Sequence, residues 1–314
     1  MIVLYLIAGL LLLVVGAERL VLGASRMALF IGISPMIIGL TVVAFGTSSP
    51  EFAVSLQAAS TGNAGIVIGN VVGSNIFNVL VILGISAIIL PLKVSSRMIR
   101  VEVPIMIFVS VLLYFMARSG TLTWISGMIL SLGIFLYVGF QIYMGRREKQ
   151  HNTGESAPQK KTALLLNIFW VILGLAFLVL GSKFLVSSAV SIAKFFGVSD
   201  LMIGLTIVAA GTSLPELVTS IVASLKGEHD IAVGNVVGSG IFNILGVLGF
   251  SLLLTPQGIP VSPEAIRFDI PVMIFVSLLC LPIFFSGRRI SRPEGVVFAA
   301  LYGIYLGYLI IGPR

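Results

Sequence analysis

Two glutamates offer the clearest chemistry in this 314-residue chain. Glu51 closes the segment GTSSPE and Glu216 closes GTSLPE, each well inside a long apolar run. In hydrocarbon an ionised carboxylate costs on the order of 3 kcal/mol unless something compensates it. The apolar runs that hold these segments, and the runs that follow them, contain no Lys or Arg, so a bound cation or a proton is the expected compensation. Thr47 and Glu51 are four apart and fall on one helix face, with Ser48 beside them; Thr212, Ser213 and Glu216 repeat the arrangement. Pro50 and Pro215 lack the backbone donors that would bond the carbonyls of Gly46 and Gly211. Kinked helices with open carbonyl oxygens follow, and in a membrane such backbone survives only inside protein or beside a watery cavity.

A second motif supplies neutral oxygens. GNVVGSNIFN at 69–78 carries Asn70, Ser74, Asn75 and Asn78, and GNVVGSGIFN at 234–243 carries Asn235, Ser239 and Asn243. Ser74 and Asn78 face one way, as do Ser239 and Asn243. Carboxylate, amide, hydroxyl and carbonyl oxygens without thiolate or imidazole suit a hard cation, calcium or sodium, over zinc or copper. Asn70 and Asn235 fit interhelical hydrogen bonding as well as ion contact. Asn75 has Gly240 as its counterpart, which argues against a ligand role shared by both halves.

The elements that must position these groups are membrane helices. Hydrophobic residues make up 58% of the chain and charged residues 10%, with a mean hydropathy of +1.14, outside the range of soluble globular domains. Apolar runs fall near 2–25, 31–60, 64–90, 101–117 and 122–144, then near 163–190, 197–225, 229–254, 267–285 and 294–311. They are too long for barrel strands and show no sustained alternation, so ten transmembrane helices are expected in an all-α polytopic membrane protein. The one clearly polar stretch, 145–162, leaves no room for a soluble catalytic domain and reads as a linker. Basic residues scattered at the ends of apolar runs account for the net charge of +7 without a nucleic-acid partner. A lone cysteine, Cys280, rules out an internal disulfide, and His151 and His229 lie in polar connections. Residues 1–17 read as the start of a first span, not a cleaved leader.

The two halves repeat each other. GLTVVAFGTSSPEF (39–52) returns as GLTIVAAGTSLPEL (204–217), identical at all but four positions, and GNVVGSNIFNVL (69–80) returns as GNVVGSGIFNIL (234–245), identical at all but two. One constant offset relates both pairs of segments, and it also relates Gly16 to Gly181, Gly32 to Gly197 and Pro91 to Pro256. The offset grows by two between Pro104 and Pro271, as a short insertion in the loop after Pro256 would produce. Shared apolar composition does not keep such a register. Five spans per half make the repeat inverted, with 1–144 and 163–314 as the two five-helix repeats around the 145–162 linker. With the N-terminus outside, the expected cytoplasmic connections hold thirteen Lys and Arg against four on the other side, placing both termini outside and the linker in the cytoplasm. Glu18, Arg19 and Lys183 read as snorkelling or locally paired groups. Arg100 and Glu102, which recur as Arg267 and Asp269, need only orientation and helix-end electrostatics.

The duplicated motif pair resembles the cation/calcium exchanger superfamily, and within it the prokaryotic sodium/calcium exchangers, over all ten expected helices. That resemblance implies cation sites built from Glu51 and Glu216, the hydroxyls of Thr47, Ser48, Thr212 and Ser213, the carbonyls of Ala44 and Ala209, and Ser74, Ser239, Asn78 and Asn243. It also implies alternating access, with spans one and six sliding across a steadier eight-helix core. Family members carry an aspartate at the position of Asn243; asparagine there removes one possible charge and leaves sodium stoichiometry, and sodium as against proton coupling, open.

The expected function is antiport of sodium and calcium across a prokaryotic cell membrane, with no cofactor and no obligatory protein partner, the lipid bilayer and the transported ions being the partners. The alternatives are a calcium/proton or other divalent cation/proton exchanger of the same fold, and a passive cation channel lined by the same oxygens. A membrane enzyme fits least, because no nucleophile–base pair stands beside the carboxylates.

Overall fold

A computed structural model describes residues 2–151, 161–195 and 209–311. The helices are α1 (Ile2–Ile31), α2 (Pro35–Thr47), α3 (Ser49–Ser60), α4 (Gly65–Ile89), α5 (Met98–Ala117), α6 (Trp124–His151), α7 (Lys161–Phe195), α8 (Ala209–Thr212), α9 (Leu214–Leu225), α10 (His229–Leu253), α11 (Ala265–Phe285) and α12 (Arg292–Ile311). Among the described residues seven helices are long and apolar enough to cross a bilayer, and α2 with α3, bent by 47°, makes an eighth. The expected seventh span corresponds to α8 and α9, with 197–208 outside the described residues; α12 occupies the tenth run. The expected linker is shorter than its composition suggested. Helix α6 runs on to His151 and α7 begins at Lys161, because the Arg, Glu, Lys and Gln of RREKQ are good helix formers. Residues 152–160 of that linker lie outside the described residues.

The chain forms two compact units, Met1–Pro50 with Phe140–Asn235 and Glu51–Gly139 with Val236–Arg314. In the first, α1 and α7 lie along each other with regularly spaced glycines at the contact. A Cβ on Gly9 would come 2.9 Å from Gly181 O, one on Gly16 2.9 Å from Gly174 O, and one on Gly23 2.8 Å from Asn167 O. Small residues allow this backbone-to-backbone approach, which supplies dispersion contacts where lipid offers no hydrophobic drive. Three polar side chains of α1 find partners on distant segments of the same unit. The Arg19 guanidinium sits 4.7 Å over the Trp170 ring, Glu18 lies 3.8 Å from Lys226 Nζ, and Ser25 Oγ donates to Glu228 Oε1 at 2.5 Å.

In the second unit α12 packs on the end of α4, where a Cβ on Gly295 would come 2.6 Å from Gly84 O. Two short antiparallel strand pairs tie its connections, Leu92–Lys93 with Arg289–Ile290 and Thr121–Leu122 with Ile259–Pro260. Glu102 departs from the helix-end reading given to it. It is fully buried, takes Arg97 Nε at 3.3 Å and accepts the Tyr137 hydroxyl at 3.1 Å. A buried carboxylate requires such partners. Its counterpart Asp269 accepts the Tyr305 hydroxyl at 3.0 Å.

The sequence repeat recurs as local structure. Widened π-type turns occupy 78–83 and 243–248, at equivalent places in the two halves, and 98–102 and 265–269, where the offset has grown by two.

Candidate cation site

Each GTSxPE segment breaks its helix at the serine. Ser48 (φ −78°, ψ 8°) separates α2 from α3, and Ser213 (φ −90°, ψ 8°) separates α8 from α9. The cause is the proline two residues on, which cannot donate to the glycine carbonyl four residues before it. Thr47 and Glu51 therefore do not share one continuous helix face, contrary to their spacing, since the break falls between them. Thr212 and Glu216 are separated in the same way.

In the first unit the break brings side chains of both halves together. Ser48 Oγ donates to Glu216 Oε1 at 2.8 Å, and Thr47 Oγ1 lies 3.0 Å from both Asn235 Oδ1 and Val43 O, its single hydrogen shared between these two acceptors. Ala44 O accepts the Ser48 backbone N–H at 3.0 Å and lies 3.3 Å from Thr47 Oγ1. Thr47, Ser48, Ser213, Glu216 and Asn235 are all buried. Glu216 Oε2 is enclosed with no hydrogen-bond partner among the described residues. Thr212 ends α8 half-buried, and Ala209 begins that helix.

In the second unit Glu51, Ser74, Asn78, Ser239 and Asn243 are buried. Asn78 and Asn243 each open a π-type turn, where the widened helix departs from the regular backbone bonding pattern. Neither side-chain polar atom of Asn78, nor Asn243 Oδ1, has a hydrogen-bond partner among the described residues. Buried amide oxygens left in this condition are costly unless something else takes them up.

The first asparagine of each GNVVGS motif is a brace. Asn70 Nδ2 donates to Glu51 O at 3.0 Å and to Ser55 Oγ at 2.8 Å; Asn235 Nδ2 donates to Glu216 O at 3.3 Å and to Ser220 Oγ at 3.1 Å. These matched bonds bear out interhelical hydrogen bonding for Asn70 and Asn235. Each fixes the backbone of the glutamate whose side chain was singled out. Ser55 and Ser220 were missed by sequence reasoning, although they too occupy equivalent places in the two halves.

One expected open carbonyl is occupied. Gly211 O accepts Ser182 Oγ from α7 at 2.6 Å. Ala17 stands at the position corresponding to Ser182, so no repeat signal pointed to this serine. Among the described residues no three His, Cys, Asp or Glu gather in one place, and the donors on view are mainly neutral oxygens around single carboxylates, a composition suited to a hard cation in transit.

A family model described as sodium/calcium exchanger protein matches residues 1–143 and 166–311. The chain is 40% identical over 267 residues to a putative antiporter, CaxA, of Alkalimonas amylolytica, covering 83% of each. It is 35% identical over 297 residues to the sodium/calcium exchanger MaX1 of Methanosarcina acetivorans, covering 83% of this chain and 84% of that one. Among solved structures, the sodium-calcium exchanger NCX_Mj soaked with sodium and calcium superposes with a TM-score of 0.85 at 31% identity, covering 100% of this chain and 99% of that one. With its helical membrane fold and its duplicated carboxylate and amide motifs, the chain belongs to the sodium/calcium exchanger family of membrane antiporters, within the cation/calcium exchanger superfamily.

Proposed function

We propose that this antiporter exchanges sodium for calcium, both ions competing for oxygens that include Glu51, Glu216, Thr47, Ser48, Thr212, Ser213, Ser74, Ser239, Asn78, Asn243 and the carbonyls of Ala44 and Ala209. The observation that carries the reading is Glu216: fully buried, met on Oε1 by the neutral hydroxyl of Ser48, and with no Lys or Arg paired to it among the described residues. A carboxylate in that setting needs a positive charge, and a transported cation supplies it. Calcium neutralises two glutamates at once; sodium ions do so singly. Two buried carboxylates without counter-ions are costly to carry through an occluded state, so return of the transporter requires the other ion. That requirement is the coupling.

The halves are inverted five-helix repeats, with both termini outside and the 145–162 connection in the cytoplasm of a prokaryotic cell; the distribution of Lys and Arg supports this orientation. Radioactive calcium uptake into vesicles preloaded with sodium, compared with choline-loaded vesicles and with vesicles given a pH gradient alone, tests the reading. Uptake driven by outward sodium is the expected result. Uptake driven only by protons would reassign the coupling ion, and uptake that no counter-ion drives uphill would mean a channel.

A further inference from the structure

A buried chain of amides links α4 to α10, and it has a direction. Asn75 Nδ2 donates to Gly240 O at 3.1 Å and lies 3.6 Å from Met273 Sδ, while Asn243 Nδ2 donates to Asn75 Oδ1 at 3.1 Å. Asn75 is 6% exposed and Asn243 0%. A backbone carbonyl can only accept, so the Asn75 amide turns its NH2 towards Gly240 and its oxygen towards position 243. The residue at 243 must then donate. Asparagine does so with Nδ2 and keeps Oδ1, which has no hydrogen-bond partner among the described residues. An aspartate carboxylate at 243 would set its lone pairs against Asn75 Oδ1. Turning the Asn75 amide over would relieve that contact only by setting Oδ1 against Gly240 O, and either arrangement faces two acceptors across a buried gap.

We propose that Asn75 is a positioning residue that requires a neutral amide at position 243 and holds Asn243 Oδ1 as an oriented oxygen for the transported cation. The proposal rests on the cation-exchange reading of Asn243. It explains why the asymmetry between the halves falls where it does. Gly240 replaces Asn75 in the second half, so that half carries no amide of its own at this place, and the Gly240 carbonyl accepts Asn75 Nδ2 instead. Asn78, the repeat partner of Asn243, has no such clamp: neither of its amide atoms is hydrogen-bonded among the described residues. Of the two amides, one is oriented in advance and the other turns to meet the ion.

The test is a double-mutant cycle on the full chain, with Asn75→Ser, Asn243→Asp and both together. Vesicles give the calcium concentration for half-maximal uptake and the maximal rate; detergent-solubilised protein gives radioactive calcium binding and the midpoint of thermal unfolding. Asn75→Ser alone is expected to raise the half-maximal concentration about fivefold, the equivalent of one hydrogen bond, with the maximal rate within about twofold. Asn243→Asp alone is expected to raise it roughly tenfold or more. The double variant is expected to bind calcium better than Asn243→Asp alone, because a serine hydroxyl rotates to donate to a carboxylate. Losses that simply multiply, a lowered midpoint without change in half-saturation, or an Asn243→Asp protein that binds calcium as well as the wild type would each overturn the proposal. Failure of the sodium/calcium reading shows separately, as wild-type vesicles without sodium-driven uptake, and the cycle is then decided on calcium binding. Wild-type protein that binds no calcium overturns both.

Discussion

Ser48 Oγ donates to Glu216 Oε1 at 2.8 Å, so the break in the first repeat holds the carboxylate of the second. The bond joins residues far apart in the chain and starts from Ser48 at the break in its helix, which Pro50 brings about. One motif thus breaks its own helix and completes the surroundings of its copy's glutamate.

Removing that hydroxyl is expected to weaken calcium handling without abolishing it. A hydrogen bond to a charged group is worth about 1.5–3 kcal/mol, so Ser48→Ala should raise the calcium concentration for half-maximal uptake roughly ten- to a hundredfold. Ser48→Thr keeps the donor and should lose less. The concentration dependence of vesicle uptake decides it, and equal losses in both variants would show that shape, not the hydroxyl, is what matters.

Neutralising either glutamate should end exchange. Glu51→Gln and Glu216→Gln preserve size while removing the charge that a cation offsets. Sodium-driven calcium flux through either variant with unchanged affinity would contradict the site.

The asparagine braces should act on stability. Asn235→Leu removes bonds to Glu216 O, Ser220 Oγ and Thr47 Oγ1, and Asn70→Leu removes bonds to Glu51 O and Ser55 Oγ. At about 1 kcal/mol for each lost bond, both variants should unfold at lower temperature in detergent, with Asn235→Leu the more affected. An unchanged midpoint would mean that the braces contribute nothing.

The glycine contacts of α1 with α7 should reject any added side chain. Gly16→Leu or Gly181→Leu places carbon where backbone atoms already lie within 2.9 Å, and overpacking of this kind costs about 1–3 kcal/mol or more. Yield of folded protein and its unfolding temperature are the readouts. Gly139→Leu, at a glycine with open space where a side chain would stand, is the control expected to leave both unchanged.

The candidate residues were legible before any fold was known, because the chain states them twice. Glu51 with Glu216, Asn78 with Asn243 and Ser74 with Ser239 keep one common offset within motifs too similar for shared composition to explain. Length and hydropathy were enough for the helical membrane class, since a bilayer admits only helices or closed barrels. Charged and prolyl residues marked the approximate ends and breaks of the helices.

What the repeat did not contain, only the tertiary structure decided. Ser182 caps Gly211 O although Ala17 stands at the equivalent place, and Asn75 orients Asn243 although Gly240 stands opposite it. Sequence spacing put Thr47 and Glu51 on one helix face, but the break at Ser48 divides them. Glu102 read as a helix-end charge and proved to be a buried one, answered by Arg97 and Tyr137. The physical reason is common to these cases. Helical periodicity and cost of burial are properties of a segment, readable from its own residues, whereas a hydrogen bond between residues far apart in the chain depends on where two helices come to lie, and that is settled by the packing of the unit as a whole.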